Sequence, residues 1–314
     1  MQQIALREPL QLECGERLHD VSIGYSTFGT LNHNKSNVVW IFHALTGNSN
    51  PVEWWPGLVG EGCAIDPKKY FIVCANMLGS CYGSTEPDDF EFPLITIRDQ
   101  VKCFQLLRNR LAIDKIKVGI GGSMGGQHLL QWAIQEPDLF ETIVPIATNA
   151  VHSPWGIAFN ETQRMAIRND IEKGIETARA IAMLSYRHYR TYLNTQLDTD
   201  KRSHDFSASS YQNYQGLKLK KRFSPHSYYY LTKAMDSHNI GLKENIKTAL
   251  SCIRAKAIVI GIDSDLLFPV EEQKFLANHI PDASFHEICS DYGHDGFLIE
   301  IAAIAAILEQ GSFS

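Results

Sequence analysis

Short apolar runs rich in β-branched residues recur along the 314-residue chain, and each ends at Gly, Asn, Asp or Ser. Such runs are typical of strands buried on both faces of a sheet. The six clearest are VVWIFHAL from Val38, YFIVCANM from Tyr70, IKVGIGGS from Ile116, TIVPIAT from Thr142, AIVIGID from Ala257 and SFHEIC from Ser284. Helical patterns lie between several of them, such as DQVKCFQLLRNRL from Asp99. This alternation predicts an α/β fold with a mostly parallel central sheet and helices on both faces.

The alternation stops between residues 151 and 246, where the sequence shows amphipathic helical segments and no strand-like run. Both ends of this stretch lead into neighbouring strands, which favours a helical cap inserted into a core formed by residues 1–150 and 247–314. A separate helical domain is the alternative. Near the start, PLQLECG from Pro9 and VSIGYSTFG from Val21 alternate with a period of two. This pattern predicts an antiparallel pair at one edge of the sheet.

The composition indicates a folded globular chain and favours a small-molecule partner. Hydrophobic residues make up 44% and charged residues 20% of the sequence, which excludes a disordered or low-complexity protein. The net charge is -6 and neither end carries a polybasic arm, so we expect neither a nucleic-acid partner nor a membrane surface. The first twenty residues contain no secretory apolar segment, and IEIAAIAAIL near the C-terminus is too short to span a bilayer. We therefore expect a cytoplasmic protein with a small-molecule substrate.

The seven cysteines are scattered and include no CxxC pair, which indicates reduced thiols rather than a disulfide framework. His and Cys residues never cluster at the spacing of metal ligands. The sequence therefore predicts no metal site and no bound cofactor.

The sharpest motif is GGSMGG, a G-x-S-x-G that follows the strand IKVGI directly and precedes a helix. In a nucleophile elbow the serine stands on a tight, strained turn from strand to helix, so a side chain at Gly121 or Gly125 would collide with the adjoining backbone. Glycine-rich turns of this kind also bind phosphates, so the motif alone is weak. Its position between strand and helix favours Ser123 as a nucleophile.

An activated serine needs a base and an acid that orients the base. In a nucleophile-elbow fold the serine comes first along the chain, the acid follows a later strand, and the histidine base follows the last strand. AIVIGID runs into Ser264 and Asp265, and SFHEIC leads through SDYG to His294. The sequence therefore predicts a triad of Ser123, Asp265 and His294. Asp263 is the competing acid, but its position as the last residue of the strand favours a role in holding the turn.

Acyl transfer through a tetrahedral intermediate also requires an oxyanion hole. One N–H is expected from Met124, the residue after the nucleophile, and the other from the loop after the strand VVWIF, with Leu45 as the expected donor. His43 in the same loop precedes the elbow in the chain. We interpret it as a brace for the loop rather than a catalytic base.

Segments in the core and the cap together resemble the homoserine O-acetyltransferases of methionine biosynthesis, within the homoserine and serine acyltransferases of the α/β-hydrolase superfamily. The segments that carry the resemblance span nearly the whole chain: HALTGNSN, EWWPGLVGEGCAID, NMLGSCYGSTEP, FPLITIRDQV, GGSMGGQHLLQW, HSPWGIAFNETQRMAI, YQGLKLKKRFSPHSYYYLTKAMDSH, GIDSDLLFP and YGHDGFL. The resemblance implies the same triad that the motifs predict. It also implies a ping-pong cycle in which acetyl-CoA, as a co-substrate, acylates the serine and the hydroxyl of homoserine then receives the acyl group.

The resemblance further implies which residues hold the acceptor. It assigns Arg222, with Tyr228 or Tyr229, to the carboxylate of homoserine and Asp295 to its ammonium group. Residues 218–221 otherwise have the composition of a solvated basic helix face. If acyl-CoA is the donor, the basic run of residues 218–222 is the expected place for its phosphates. The resemblance also favours a homodimer.

Two departures from the family pattern affect substrate choice. The segment of residues 84–94 is shorter than expected, and Gln127 and His128 stand after the elbow where a different pair is expected. Acetyl and succinyl donors, and homoserine and serine acceptors, therefore stay open, as do homoserine O-succinyltransferase and serine O-acetyltransferase activities. Two further alternatives are a serine hydrolase with the same triad and a ligand-binding module that has kept only the fold.

Overall fold

The computed structural model describes residues 1–200 and 202–311. Eight strands form one sheet, a two-stranded sheet lies apart, and helices flank the large sheet. The strands are β1 Gln2–Ala5, β2 Leu10–Gln11, β3 Arg17–Leu18, β4 Ser22–Phe28, β5 Val38–Phe42, β6 Phe71–Ala75, β7 Ile116–Gly122, β8 Phe140–Ile146, β9 Lys256–Ile262 and β10 Ala283–Ile288. The helices are α1 Pro51–Trp54, α2 Ile97–Arg110, α3 Met124–Gln135, α4 Pro154–Asn169, α5 Gly174–Tyr186, α6 Tyr189–Thr195, α7 Ser207–Lys220, α8 Pro225–Asp236, α9 Ile246–Ser251, α10 Val270–His279, α11 Gly296–Ile299 and α12 Ile301–Gly311, and Gly293–Asp295 forms a 3-10 turn.

The large sheet has the order β1-β4-β6-β5-β7-β8-β9-β10. The six neighbouring strands β6-β5-β7-β8-β9-β10 pair in parallel. Strands β1 and β4 are antiparallel to their neighbours. The six predicted core strands are all present, so the prediction of a mostly parallel α/β sheet is confirmed. Because parallel strands end at the same edge, residues that follow β5, β7, β9 and β10 meet at the carboxyl edge of the sheet.

Alternate residues of the central strands enter two different cores, one on each face of the sheet. In β5, Trp40 packs on one face with Phe104 of α2 and Trp132 of α3. Ile41 lies on the opposite face in the same core as Ile304 of α12. This two-sided burial explains why the parallel strands read as continuous apolar runs.

One part of the prediction for the sheet edge is wrong. VSIGYSTFG does form β4, which pairs antiparallel with β6, but PLQLECG does not pair with it. Only Leu10 and Gln11 of that segment are in a strand, and they pair with β3 in the separate two-stranded sheet. The edge position belongs to β1, whose four residues carry too little apolar pattern to indicate a strand.

Six helices, α4 to α9, follow one another between β8 and β9 in the described part of the chain. Helix α5 packs between α4 and α7, and α8 packs against α4. In the described part of this stretch, the only backbone pairing of β type is a single antiparallel bridge between Val151 and Asn239, at the two ends where the helices leave and rejoin the core. None of the helices among the described residues has the length and hydropathy needed to cross a bilayer.

Candidate active site

Ser123 stands between β7 and α3 with a left-handed backbone conformation, φ 57° and ψ -127°. Its backbone is held on both sides, because its N–H donates to Ile146 O and its carbonyl accepts from the hydroxyl of Thr148. A Cβ added at Gly125 would lie 2.2 Å from Phe42 O, and one at Gly121 would lie 2.6 Å from the backbone of Gly125. The turn therefore has the strain and the requirement for glycine that a nucleophile elbow needs.

Asp265 and His294 are joined by a hydrogen bond of 2.6 Å from His294 Nδ1 to Asp265 Oδ2. The other carboxylate oxygen of Asp265 accepts the N–H groups of Leu267 and Phe268 at 2.8 and 2.9 Å. Both side chains are almost fully buried. With Nδ1 held by the carboxylate, Nε2 is the ring nitrogen left to accept a proton.

Asp263 has a different role. Its carboxylate is exposed and accepts the N–H of Ser290, and its own N–H donates to Ile288 O. It therefore ties the end of β9 to the segment that follows β10, in agreement with a role in the turn.

Three aromatic rings surround His294. Phe268 stacks on it with ring centroids 5.0 Å apart, Phe297 meets it edge-on at 5.3 Å, and Tyr186 lies at 5.7 Å. The described residues include no hydrogen bond between Ser123 and His294, although both line the same cavity. In unliganded enzymes, hydrogen bonds of this kind are often longer than in the complex with substrate.

The loop of residues 43–47, here called the oxyanion loop, follows β5 and lines the cavity beside Ser123. His43 braces it, because Nδ1 bonds Ala44 O at 2.9 Å and Nε2 accepts the N–H of Met77. Burial lowers the pKa of His43 to about 4, so the ring is neutral at pH 7. In the described part of the chain, neither the N–H of Leu45 nor that of Met124 donates a hydrogen bond to another protein group. Both are therefore free to bind an oxyanion.

A cavity of about 160 Å³ contains Ser123 and His294. It is small beside the roughly 300–1,000 Å³ of pockets for drug-sized ligands, which suits a small substrate. Three charged side chains lie on its wall: Arg179, Arg222 and Asp295. Opposite charges around a serine nucleophile are what a zwitterionic substrate requires.

Asp295 forms an ion pair with Arg187, in which Arg187 Nε lies 2.8 Å from Asp295 Oδ2. The two side chains are only 13% and 19% exposed. Arg187 does not line the cavity, so it contacts the carboxylate from behind. Asp295 thus presents one anionic group to the cavity, next to His294, where the family resemblance implies the ammonium site.

The residues after α5 pack closely on the loop that carries His294. A Cβ added at Gly293, which has φ 64°, would lie 2.8 Å from His188 N. Thr191 Oγ1 donates to Asp291 O, and Arg190 pairs with the Asp291 side chain at 3.3 Å. The helices between β8 and β9 therefore help to fix the position of the histidine.

Arg222 makes its contacts with the core. Its Nη1 donates to Thr46 O at 2.7 Å and to the hydroxyl of Tyr82 at 2.9 Å, and its Nη2 donates to Thr46 Oγ1 at 3.3 Å. It pairs with no carboxylate among residues 1–200 and 202–311. Most of its hydrogen-bonding capacity is therefore already used by the oxyanion loop and its neighbour.

Neither Tyr228 nor Tyr229 is among the residues that line the cavity, so the structure does not bring them together with the other predicted substrate residues. The hydroxyl of the fully buried Tyr228 donates to Gln163 Oε1 at 2.6 Å, and burial raises its pKa well above the usual value. Tyr229 packs edge-on against Phe90, with ring centroids 5.0 Å apart, and its hydroxyl accepts a 3.5 Å bond from Arg168. These tyrosines pack helix α8 against its neighbours and against the short segment of residues 84–94.

Two residues on the cavity wall, Arg179 and Tyr186, are missing from the sequence predictions. They stand seven positions apart on α5, on the same face of the helix, and the Arg179 guanidinium lies 5.3 Å from the centre of the Tyr186 ring. Arg179 has no ion pair within the described chain. This spacing is the signal that could have indicated them, but only packing shows which face of α5 meets the cavity.

The basic run of residues 218–222 is divided among several environments. Lys220 pairs with Glu176 at 2.7 Å, and Lys218 lies over the ring of Tyr214. Lys221 is exposed, whereas Arg222 reaches the cavity. The run is thus a surface cluster that ends at the cavity.

Gln127 and His128, the unusual pair after the elbow, are fully buried beneath the nucleophile. Gln127 Nε2 donates to Asn149 Oδ1, and His128 Nε2 bonds Gln100 Oε1 at 2.7 Å. Burial lowers the pKa of His128 well below its usual value, so the ring is neutral. Both residues belong to the packing behind the serine and not to the cavity wall.

No group of three His, Cys, Asp or Glu side chains within the described ranges is arranged to hold a metal ion. The site consists of a serine on a strained turn, a buried carboxylate–imidazole pair and two unpaired N–H groups, all at the carboxyl edge of a mostly parallel sheet. Together these features define an α/β hydrolase, and the model of the alpha/beta hydrolase fold family matches residues 37–300.

Within that class, the chain belongs to the family of the homoserine O-acetyltransferases. It is 48% identical to the homoserine O-acetyltransferase of Cyclobacterium marinum over 96% of its own length and 92% of that protein. The crystal structure of homoserine O-acetyltransferase from Staphylococcus aureus is similar, with a TM-score of 0.87 and 27% identity over 98% of this chain and 94% of that chain. Esterase E22 shares the fold, with a TM-score of 0.90 at 20% identity and 98% coverage of both chains.

Proposed function

We propose that the protein transfers the acetyl group of acetyl-CoA to the side-chain hydroxyl of L-homoserine, giving O-acetyl-L-homoserine for methionine biosynthesis and free CoA. One observation carries this proposal: Ser123 and His294 share a small cavity with two arginines and one aspartate, the charges that a zwitterionic acceptor needs. Membership of the homoserine O-acetyltransferase family supports it.

In the first half-reaction, His294 Nε2 takes the proton of Ser123 Oγ as the oxygen attacks the thioester carbonyl. The carbonyl oxygen becomes an oxyanion, which the N–H groups of Leu45 and Met124 stabilise. The intermediate then collapses, the C–S bond breaks, and the leaving CoA sulfur takes the proton from His294. Asp265 keeps the imidazole oriented and stabilises its charged form through the 2.6 Å hydrogen bond.

In the second half-reaction, the homoserine hydroxyl loses its proton to His294 and attacks the acetyl-serine carbonyl. The same two N–H groups stabilise the new oxyanion. The bond between the acetyl carbon and Ser123 Oγ then breaks, and Ser123 recovers its proton from His294. O-acetyl-L-homoserine leaves, and the enzyme returns to its starting state.

The acceptor is held through its two charges. We assign the ammonium group to Asp295 and the carboxylate to Arg222, which lines the cavity and keeps two of its five N–H donors. Arg179 is a second cation on the same wall. For the donor, the cations left exposed at Lys218 and Lys221 are the closest match to the phosphates of CoA.

The test is a matrix of acetyl-CoA and succinyl-CoA against L-homoserine and L-serine, with the free CoA thiol as the readout. We expect rapid thiol release only with acetyl-CoA and homoserine. A preference for succinyl-CoA or for serine would assign one of the related acyltransferase activities instead. Thiol release that does not depend on any amino acid would contradict the proposal.

Ester hydrolysis is the second candidate, because an esterase has the same fold at a TM-score of 0.90. A hydrolase passes the acyl group to water and consumes its donor at the same rate with or without homoserine. The partition of the acetyl group between water and homoserine at saturating homoserine distinguishes the two. We expect nearly all of it in the amino-acid product.

We also propose that the protein acts in the cytoplasm as a homodimer formed through helices α5 to α7. Apolar side chains that are at least 44% exposed are concentrated there: Leu184, Tyr189, Leu193, Leu197, Tyr214 and Leu217. Exposed apolar surface of this kind is typical of protein interfaces. Light scattering should report a dimer that Leu193→Glu dissociates, while Leu242→Glu, at an exposed site outside these helices, should leave it intact. A monomer at micromolar concentration would contradict this assignment.

A further inference from the structure

Arg179 is a half-buried arginine of α5 whose guanidinium has no anionic partner in the described part of the chain. The other four arginines of residues 154–195 each pair with a carboxylate: Arg164 with Glu161 and Asp236, Arg168 with Glu161, Arg187 with Asp295, and Arg190 with Asp291. Arg179 also donates no hydrogen bond to any residue in the ranges 1–200 and 202–311. A cation that is partly removed from water without a partner is costly. Its position on the cavity wall therefore indicates a site that receives an anion.

The guanidinium of Arg179 is held at the cavity by the ring of Tyr186. Its central carbon lies 5.3 Å from the ring centroid, a distance at which a cation is attracted to an aromatic face. Tyr186 in turn packs against the ring of His294, with centroids 5.7 Å apart. Burial raises the pKa of Tyr186, so the ring stays a neutral phenol. The ring contact orients Arg179 near the catalytic histidine and uses none of its N–H donors.

The proposed substrates offer few anionic groups that reach this wall. The acetyl group is neutral, and the phosphates of CoA lie at the opposite end of that molecule from the thioester. The cavity of about 160 Å³ has room for the reacting groups but not for the whole donor. Asp295, the anionic side chain of the wall, is already paired with Arg187. The carboxylate of the acceptor is therefore the anion that Arg179 can meet.

We propose that Arg179 and Arg222 together bind the carboxylate of the acceptor, and that Arg179 determines the preference for acceptors with a free carboxylate. An ionised carboxylate has about four acceptor positions. The two N–H donors that Arg222 keeps and two from the planar fork of Arg179 match that number. The inference rests on the proposed function, since it requires an amino-acid acceptor. It adds a residue that selects among acceptors and takes no part in acylation of Ser123.

The experiment compares L-homoserine with L-homoserine amide, in which a neutral carboxamide replaces the carboxylate. Both acceptors are assayed with acetyl-CoA through release of the CoA thiol, in the unsubstituted protein, Arg179→Met and Arg179→Lys. Lys173→Met, at the exposed cation directly before α5, is the matched control. The first turnover of p-nitrophenol release from p-nitrophenyl acetate measures acylation of Ser123 without CoA or acceptor. Thermal unfolding of each variant reports on folding.

We expect the homoserine KM of Arg179→Met to rise about 10- to 100-fold, the range for loss of a charged hydrogen bond. The amide lacks the charge that Arg179 binds, so its kcat/KM should fall by less than about threefold. Acylation by p-nitrophenyl acetate should change by less than about twofold. Arg179→Lys should recover part of the preference for homoserine, because it keeps the charge but loses the planar fork. Lys173→Met should behave as the unsubstituted protein does.

Two results would overturn the assignment. Equal losses with homoserine and its amide in Arg179→Met would show that the arginine supports the structure around His294 and not the carboxylate. An unchanged homoserine KM, with a loss that appears only when succinyl-CoA is the donor, would place the carboxylate of an acyl group at Arg179.

A variant that does not fold has a replacement, and failure of the proposed function has its own signature. If Arg179→Met does not fold, Arg179→Gln, which keeps a polar side chain without the charge, takes its place in the same comparison. If the proposed function is wrong, the unsubstituted protein will be acylated by the ester but will not pass the acetyl group to homoserine. That outcome would remove both proposals, whereas the two results above remove only the role of Arg179.

Discussion

Asp265 holds His294 with one oxygen and two backbone N–H groups with the other, so the carboxylate cannot rotate without losing three hydrogen bonds. Asp265→Asn keeps the shape of the side chain but removes the charge that stabilises the imidazolium. We expect kcat to fall by about 10⁴-fold with little change in the unfolding temperature. Asp263→Asn is the matched control two residues away, and steady-state thiol release is the measurement. Equal losses in the two variants would show that the charge of Asp265 has no special role.

The ion pair between Arg187 and Asp295 predicts a defect limited to the acceptor. Arg187→Met leaves the Asp295 carboxylate without its fixed partner, so we expect the homoserine KM to rise about 10-fold, in the range of a charged hydrogen bond. The first turnover with p-nitrophenyl acetate should change by less than about twofold. Arg190→Ala removes a more exposed ion pair with Asp291 and should change neither quantity. A matching loss of acylation in Arg187→Met would mean that Arg187 supports the histidine loop instead.

Gly125 has no room for a side chain. In Gly125→Ala the new methyl carbon would lie 2.2 Å from Phe42 O, so the elbow or strand β5 must move. We expect the free energy of unfolding to fall by about 3 kcal/mol and Ser123 to lose its reaction with a fluorophosphonate. Gly62→Ala is the control, because Gly62 has φ 74° but nothing within 4 Å of the added carbon. Urea unfolding of both variants distinguishes the effect of the steric collision from that of backbone strain. Similar decreases in the free energy of unfolding in the two variants would contradict the prediction.

Buried neutral histidines predict a loss of stability in mild acid. Burial lowers the pKa of His43 and His152 to about 4 and that of His238 to about 3, against about 6.5 in the unfolded chain. Below pH 6.5 the unfolded state takes up protons that the folded state cannot. The free energy of unfolding should therefore fall as the pH decreases from 6.5 to about 4, by about 1.4 kcal/mol per pH unit for each such histidine.

Urea unfolding at pH 7, 6 and 5 measures this slope. His152→Gln should reduce it, because one group that resists protonation in the folded state is gone. His204→Gln, at an exposed histidine, should leave the slope unchanged. A slope that does not differ between the two variants would exclude His152 as a contributor.

The sheet and the order of the reactive groups are predictable from sequence because they depend on local patterns. Buried parallel strands read as apolar runs, and the residues that follow them must meet at one edge, so Ser123, Asp265 and His294 fall together without any knowledge of the cap. The strand β1 is not predictable in the same way, since its four residues have little apolar pattern and depend on pairing with β4.

The acceptor side of the site is harder to predict, because it depends on how the helices between β8 and β9 pack. Arg179 and Tyr186 look like one more face of an amphipathic helix until α5 is placed between α4 and α7. Tyr228 has the right chemistry for a substrate contact, yet its hydroxyl is used inside the helical layer by Gln163. Sequence shows which groups are available, and packing decides which of them reach the cavity.

The stretch between β8 and β9 supplies two of the charged side chains on the cavity wall, Arg179 and Arg222, whereas Asp295 follows β10. Ser123, Asp265 and His294 follow strands of the sheet, whereas Arg179 lies on α5 and Arg222 lies between α7 and α8. We therefore expect that this one stretch of the chain can be varied to change two of the charges on the cavity wall, while Ser123, Asp265 and His294 keep their positions. Such a variant would have to keep the contacts to Thr46 and to the loop that carries His294, because these contacts join the stretch between β8 and β9 to the segments that follow β5 and β10.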